Sequence, residues 1–356
     1  DGLISLTVQD VREHLITARV IIGGRLKPRK GVNLPGIPLT RLSSFTKKDC
    51  ADLTFAFEHQ LDYIALSFVR SAEDVKALRS YMLKTFEAEI PVISKIEKPE
   101  AVDDIDAIIA VSSAVMVARG DLGVETSPEE VPVIQKSIIR SCNLAGIPVI
   151  TATQMLESMI THARPTRAEA GDVANAILDG TSAVMLSGET AAGNYPLQSV
   201  EMMHRIITHT EGSVQYERIV LDQRLNREDI ELKRKKSITE AVGMATRELA
   251  LGINASCIGC FTHSGGSARL ISKFRPRVPI IGFSPIRQTV QRLALSWGVT
   301  PVLVGTLTTV DELLDHAPKH LKSLNLVRSG DIIVITAGVP VGSPGKTNMI
   351  KVVEVD

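Results

Sequence analysis

Polar and charged residues directly follow five short apolar runs between residues 63 and 186, and their types suit chemistry on an anion. Reactive groups of βα folds collect at the carboxyl ends of the strands, so we expect these residues to share one rim. Five strand ends that supply complementary groups in sequence order predict an active site. The residues are Ser67, Lys95, Glu97, Arg119, Gly120, Asp121, Thr153, Ser187 and Glu189.

Two carboxylates of this set are candidate metal ligands. Mg²⁺ is usually held by one or two carboxylates and by substrate oxygens, which suits Glu97 and Asp121. Lys95 would lie beside them as a compact positive charge that neutralises a migrating phosphoryl group or a developing enolate. Gly120 would let the backbone approach a bound anion closely. We therefore expect an open metal site that binds an anionic substrate.

The remaining strand-end residues suit proton transfer. Thr153, Ser187 and Glu189 could relay a proton through hydroxyl groups and water. The alternative for each charged residue is a structural salt bridge at the rim, because ion pairs are common in folded proteins. The clustering of these residues in sequence order favours the functional interpretation.

The elements that position these residues form repeated βα units. Near-continuous apolar runs at 63–66, 91–94, 114–118, 147–150 and 183–186 are typical of buried parallel strands. Amphipathic stretches at 72–83, 128–145, 167–178 and 196–210 predict the helices between them. Five such units indicate a (β/α) barrel or a doubly wound sheet. Because a barrel needs eight, either the sheet is open or three units precede residue 1.

Different patterns flank these units. Residues 3–8 and 15–22 alternate like short strands, and 31–38 is rich in turn formers. Residues 211–236 are polar and read as a connection. From 237 onward, helices at 237–251, 265–274, 286–295 and 309–322 alternate with strands at 256–261, 279–283, 299–304, 331–336 and 348–354, which predicts a second α/β domain.

A loop of the second domain, T-H-S-G-G-S at 262–267, lies between a predicted strand and a predicted helix. Its hydroxyl groups and glycine amides could hold a phosphate at the helix N-terminus. The alternative is a simple N-cap formed by Ser264. Cys257 and Cys260 nearby lack the further ligands of a zinc site, so we interpret them as small residues of a buried strand.

Composition excludes several classes of protein. The 356 residues include 40 Lys+Arg and 40 Asp+Glu, so no net basic field attracts nucleic acid or anionic lipid. No apolar run approaches the ~18 residues of a bilayer span. Four scattered cysteines favour a reducing, cytoplasmic compartment over a disulfide framework.

The strand-end segments resemble the pyruvate kinase family. They are long, ordered and specific, and the resemblance covers essentially the whole chain. The segments are K-G-V-N-L-P-G at 30–36, A-L-S-F-V-R at 65–70, I-S-K-I-E-K-P at 93–99, M-V-A-R-G-D-L-G-V-E at 116–125, A-T-Q-M-L-E-S-M at 152–159, R-P-T-R-A-E-A-G-D-V-A-N-A-I-L-D-G at 164–180 and M-L-S-G-E-T-A at 185–191.

The resemblance implies an α/β fold with a (β/α)8 TIM-barrel-type catalytic domain, of which five units are visible. Residues 1–36 would be the C-terminal part of a β lid domain, 37–212 the partial barrel, 213–236 a linker and 237–356 the α/β regulatory domain. The family normally has about a hundred or more residues ahead of this point, so a fragment, a processed piece or one part of a longer polypeptide is expected. The K⁺ ligands would lie in that preceding region.

The implied activity is Mg²⁺- (or Mn²⁺-) and K⁺-dependent phosphoryl transfer from phosphoenolpyruvate to ADP, which gives pyruvate and ATP in glycolysis. By resemblance, Lys95 stabilises the phosphoryl group in flight and Glu97 and Asp121 hold the metal. The family also implies a cytoplasmic homotetramer controlled by a phosphorylated effector. Further implied roles are substrate binding at Ser67, Arg119, Gly120, Asp121 and Thr153, enolate protonation at Ser187 and Glu189, nucleotide binding at Lys30, and effector phosphate binding at Thr262, Ser264, Gly265, Gly266 and Ser267.

Two other hypotheses stay open at the level of the sequence. A lyase or aldolase could use the same carboxylate-held Mg²⁺ to stabilise a pyruvate enolate, and it would need no ADP. A catalytically incomplete fragment could instead bind an effector without turnover. In that case, Lys95→Met would change nothing measurable.

Overall fold

A two-stranded antiparallel hairpin is formed by β1 (Ser5–Arg12) and β2 (Leu15–Ile22). The alternation of apolar and polar residues predicts both strands. The first strand was expected at 3–8 and instead runs from Ser5 to Arg12. Large apolar side chains of the hairpin are exposed, among them Leu15 and Ile16. The structure is a computed structural model that describes residues 2, 4–26, 28, 31–35, 45–219, 237–342 and 347–356.

The central sheet has five parallel strands in the order in which they occur along the chain. Sequential parallel neighbours are the arrangement of a (β/α) barrel, whereas a doubly wound sheet reverses its order at a switch point. The barrel alternative is therefore confirmed. The strands are β3 (Ile64–Val69), β4 (Val92–Ile96), β5 (Ala114–Ala118), β6 (Val149–Ala152) and β7 (Ala183–Val184).

Long amphipathic helices pack their apolar faces on this sheet. Val75, Leu78 and Met82, for example, are buried side chains of one such face. Four of these five long helices occur where the 3.6-residue period predicts them, whereas the first, Lys47–Glu58, was not predicted. They are α1 (Lys47–Glu58), α2 (Ala72–Phe86), α6 (Val131–Ala145), α7 (Arg167–Asp179) and α9 (Pro196–Glu211).

Four short helices were not predicted, because a helix of one or two turns is too short to show a period. Two of them follow strand ends directly and carry predicted site residues, which fixes the direction of those residues. The four are α3 (Pro99–Asp103), α4 (Ile105–Val111), α5 (Arg119–Glu125) and α8 (Gly188–Ala191).

The second domain has its own five-stranded sheet in the order β10-β9-β8-β11-β12, with only β12 antiparallel to its neighbour. Its strands are β8 (Cys257–Phe261), β9 (Ile280–Ser284), β10 (Val299–Leu303), β11 (Ile332–Ala337) and β12 (Met349–Glu354). Its helices are α10 (Ile238–Gly252), α11 (Gly266–Lys273), α12 (Arg287–Leu293) and α13 (Val310–Ser323). Residues 214–219, within the predicted linker, are helical.

The two domains contact each other through Arg275. Its Nη2 donates hydrogen bonds to the carbonyl oxygens of Gly180 at 2.6 Å and Thr181 at 3.0 Å, at the end of α7. Its guanidinium lies 4.5 Å from the ring centroid of Trp297, whose Nε1 donates to Glu211 at 2.8 Å. Arg275 and Trp297 therefore join the second domain to the end of α7 and to the end of α9 in the first.

All four cysteines are free. Cys257 and Cys260 are buried in β8, which confirms the interpretation as small strand residues. Burial raises the pKa of Cys142 and of Cys257 to about 12. No helix in the described ranges has the length and hydrophobicity needed to cross a bilayer.

Candidate active site

Lys95 lies between Ser67 and Glu97 at the carboxyl ends of β3 and β4. Its ammonium donates a hydrogen bond to Ser67 Oγ at 2.9 Å and lies 2.7 Å from Glu97 Oε1. The Lys95 side chain is 24% exposed and that of Glu97 is 1% exposed. The structure therefore brings together three predicted residues from adjacent strands, with the lysine reaching towards solvent from a buried carboxylate.

The Glu97 carboxylate is held by one oxygen only. Its Oε2 accepts a hydrogen bond of 2.6 Å from the backbone N–H of Phe68, where β3 bulges between Leu66 and Val69. Its Oε1 is buried and has no hydrogen-bond partner among the described residues. The nearby Lys95 ammonium compensates the charge of this oxygen but does not align to form a hydrogen bond with it. A buried oxygen in this state is a ready ligand for a cation.

Gly120, Asp121 and Thr153 meet where β5 and β6 end. The Gly120 backbone N–H donates to Thr153 Oγ1 at 2.8 Å, and the Thr153 hydroxyl donates to the Ala152 carbonyl at 2.6 Å. Asp121 is in the first turn of α5 and makes no hydrogen bond or ion pair within the described part of the chain. A Cβ on Gly120 would lie 3.5 Å from Thr153 Oγ1, an ordinary contact, so packing alone tolerates a side chain there.

The guanidinium of Arg119 is hydrogen-bonded to other residues of the barrel. Its Nη1 donates to Asp172 Oδ1 at 2.7 Å, and its Nη2 donates to the Thr153 carbonyl at 2.7 Å. Its Nε also donates to the Ala152 carbonyl at 3.3 Å. In this conformation Arg119 holds the segment that carries Thr153, and its predicted contact with substrate stays a prediction.

Glu189 is also held by the backbone. Its Oε1 accepts from the Leu156 N–H at 3.1 Å and its Oε2 from the Ser187 N–H at 2.7 Å. The residue is 2% exposed. It therefore joins the loop after β6 to the loop after β7 and positions Ser187, which is half-buried. A role of either residue in proton transfer stays a prediction.

The sequence matches two family models of one enzyme. The model described as "Pyruvate kinase, barrel domain" matches residues 1–200, and the one described as "Pyruvate kinase, alpha/beta domain" matches residues 240–353. The chain belongs to the pyruvate kinase family.

Individual pyruvate kinases agree with this assignment. The chain is 45% identical to the pyruvate kinase of Sporosarcina psychrophila and 47% identical to that of Geobacillus stearothermophilus, over 99% of this chain and 59% of each relative. It is 42% identical to the pyruvate kinase of Clostridium acetobutylicum, over 99% of this chain and 73% of the relative. A crystal structure of a pyruvate kinase from Cryptosporidium parvum superposes with a TM-score of 0.90 at 36% identity, and covers 100% of this chain and 71% of that one. The chain thus spans about three fifths of the length of the first two relatives.

Three residues of this pyruvate kinase family member were missed at the sequence level. Lys98 Nζ lies 2.6 Å from Glu125 Oε1, and Asn33 Nδ2 donates to the same oxygen at 2.8 Å. Lys98 and Glu125 belong to segments that carry the family resemblance, I-S-K-I-E-K-P and R-G-D-L-G-V-E. Their closeness in the sequence to Glu97 and Asp121 was the signal that could have identified them. Lys30, the predicted nucleotide-binding residue, lies outside the described residues.

A cavity of about 290 Å³ in the second domain contains the predicted effector loop. It lies where the carboxyl ends of β8 and β11 meet, at the point where strand order reverses, which is where open α/β sheets bind ligands. Gly265, with φ 84°, is the N-cap of α11 and no side chain caps the helix, so the alternative of an N-cap formed by Ser264 is wrong. The polar lining includes Thr262, Ser264, Gly266, Ser267 and Thr347.

Proposed function

We propose that the polypeptide carrying this chain transfers the phosphoryl group of phosphoenolpyruvate to ADP, which gives pyruvate and ATP. The observation that carries the proposal is the contact of Lys95 with the buried Glu97 carboxylate at the ends of neighbouring strands. Phosphoryl transfer needs positioning and charge neutralisation more than covalent chemistry. An ammonium and a metal-binding carboxylate supply both.

The residues fit a divalent cation. Glu97 Oε1 is a buried oxygen that lacks a hydrogen-bond partner among the described residues, and the Asp121 carboxylate is unpaired among the same residues. Carboxylate oxygens are the ligands that Mg²⁺ and Mn²⁺ prefer. When bound, the cation would neutralise charge on the substrate oxygens. K⁺ dependence is proposed from family membership alone.

The predicted site residues each have a proposed part in the reaction. The Lys95 ammonium, oriented by Ser67, stabilises the negative charge that develops on the phosphoryl group and the enolate. Gly120 and Thr153 bind the substrate at the start of α5, where backbone N–H groups favour an anion. Ser187, positioned by Glu189, lies at the rim from which a hydroxyl group can return a proton to the enolate.

Regulation and assembly are part of the same proposal. The cavity of the second domain combines hydroxyl groups with the start of α11, a combination that suits the phosphate of an allosteric effector. Ser267 Oγ and Thr347 Oγ1 are hydrogen-bonded at 2.6 Å across its mouth. A homotetramer in the cytoplasm is proposed from family membership.

The test is pyruvate formation from phosphoenolpyruvate, with and without ADP, in Mg²⁺ and K⁺. ADP-dependent turnover is expected, with a loss of roughly 100-fold or more in Lys95→Met, because a charge that stabilises the transition state is removed. Lys76→Met, at an exposed lysine of α2, is the matched control and keeps full activity. Pyruvate formation that needs no ADP would indicate the lyase, and effector binding without turnover would indicate the incomplete fragment.

A further inference from the structure

We propose that Lys98, Glu125 and Asn33 form a positioning network that sets the separation of the two metal-binding carboxylates. This inference rests on the proposed function, because it concerns the same divalent cation. The network is built on one oxygen, Glu125 Oε1, which lies 2.6 Å from Lys98 Nζ and 2.8 Å from Asn33 Nδ2.

The first argument is the place of Lys98 in the chain. It directly follows Glu97, at the point where β4 gives way to α3. Its ammonium contacts Glu125, the last residue of α5, and its side chain is only 10% exposed. Because Lys98 is bonded to Glu97 in the chain, an ion pair that restrains Lys98 also restrains the backbone next to this candidate ligand.

The second argument is the place of Glu125. It is the last residue of α5, one helical turn after Asp121, so both residues lie on the same side of this helix. Leu122 anchors this seven-residue helix in the barrel core, and a contact in its last turn adds a second point that defines its direction. The Glu125 side chain is 2% exposed, and its buried charge requires the partner that Lys98 supplies. The ion pair thus fixes α5, with Asp121, relative to β4, with Glu97.

The third argument is the link to residues 31–35. Asn33 lies in the segment between the β1–β2 hairpin and the barrel, 92 residues from Glu125 in the sequence. Because it donates to the oxygen that also binds Lys98, a displacement of this segment perturbs the ion pair directly. Asn33, Lys98 and Glu125 line the same cavity of about 850 Å³ as Ser67, the partner of Lys95.

The experiment measures the dissociation constant of Mn²⁺ by electron paramagnetic resonance, in the intact polypeptide that carries this chain. Glu125→Gln keeps the size of the side chain and removes its charge. Outer-shell partners of metal ligands typically contribute 10–100-fold to affinity, so a rise of roughly tenfold in the dissociation constant is expected. Glu89→Gln is the matched control, because Glu89 pairs with Arg79 at 3.0 Å near the opposite end of β4 and its loss leaves Mn²⁺ binding unchanged.

A second variant keeps the inference testable if Glu125→Gln does not fold. Asn33→Ala leaves the ion pair in place and removes one hydrogen bond, so a smaller rise of about fivefold is expected. Mn²⁺ affinity equal to that of the wild type in a folded Glu125→Gln variant, or in Asn33→Ala where Glu125→Gln does not fold, would overturn the inference. Absence of Mn²⁺ binding by the wild type would also overturn it.

Turnover, measured in parallel, separates this inference from the proposed function. If the wild type forms no pyruvate but Glu125→Gln still weakens Mn²⁺ binding, the proposed kinase activity is refuted and the network is supported. An active wild type whose Glu125→Gln variant binds Mn²⁺ normally refutes the network alone.

Discussion

The guanidinium of Arg119 donates a hydrogen bond of 2.7 Å to the carbonyl oxygen of Thr153, the first residue after β6. Thr153 and the following Gln154 have φ values of 68° and 55°, in the left-handed region that side chains other than glycine rarely adopt. Such a conformation costs on the order of 1–3 kcal/mol per residue and persists only where the surroundings impose it. Arg119 holds the Thr153 backbone in this conformation, together with the Gly120 N–H that donates to the Thr153 hydroxyl.

Replacing Arg119 by Met is therefore expected to destabilise the barrel. The variant loses the hydrogen bonds to Thr153 and Asp172, and the free energy of unfolding should fall by about 1–3 kcal/mol. Urea unfolding measures the change, and Arg140→Met, at an exposed position of α6, is the control. Equal unfolding midpoints of Arg119→Met and the wild type would contradict the assignment.

Glu189→Gln is expected to loosen the link between the loops after β6 and β7. A glutamine amide has only one acceptor oxygen, so its NH₂ group would face a backbone N–H of Leu156 or Ser187 inside the protein. Leaving a buried donor without a partner costs about 1–3 kcal/mol. Thermal unfolding measures this loss against Glu129→Gln, an exposed control, and an unchanged transition would show that the two loops hold each other without Glu189.

Arg275→Lys is expected to weaken the contact between the two domains. A lysine keeps the positive charge but can neither reach both the Gly180 and Thr181 carbonyls with a planar fork nor stack on Trp297 in the same way. We expect calorimetry to resolve two unfolding transitions in the variant where the wild type shows one. Arg328→Lys, at an exposed position of the second domain, keeps the wild-type profile.

His316 is expected to make stability depend on pH. Burial lowers the pKa of His316, the neighbouring His320 and Lys319 lower it further, and Asp315 opposes them. A histidine has a pKa of about 6.5 in the unfolded chain, so below that pH the unfolded state binds more protons than the folded one. Stability should therefore fall as the pH falls from 7 to 5.

The measurement is urea unfolding at pH 7 and pH 5. His316→Gln carries no titrating group at this position, so its stability should fall less over this interval than that of the wild type. His209→Gln, at an exposed position of α9, serves as the matched control. An identical loss of stability in His316→Gln and the wild type would assign the pH dependence to other groups.

Helices and strands with a long hydrophobic pattern could be predicted from the sequence, because the signals that define them are local. The capping boxes of α7 and α10, with Thr166 bonded to Glu169 and Ser237 bonded to Glu240, lie within four residues of one another. The apolar runs identified all five barrel strands, and the residues that follow them include Lys95 and Glu97, which the structure brings within 2.7 Å. Alternation by itself left the barrel and the doubly wound sheet open, and the sequential order of paired strands decided between them.

Only the tertiary structure decided which side chains meet across the fold. Arg119 and Asp172 are 53 residues apart in the sequence, and Asn33 and Glu125 are 92 apart. No periodicity encodes such pairs, because they depend on how short connections such as α3 and α5 turn after each strand. For the same reason Glu189 was predicted from its position at a strand end, whereas its two backbone partners became visible only once the loops were folded against each other.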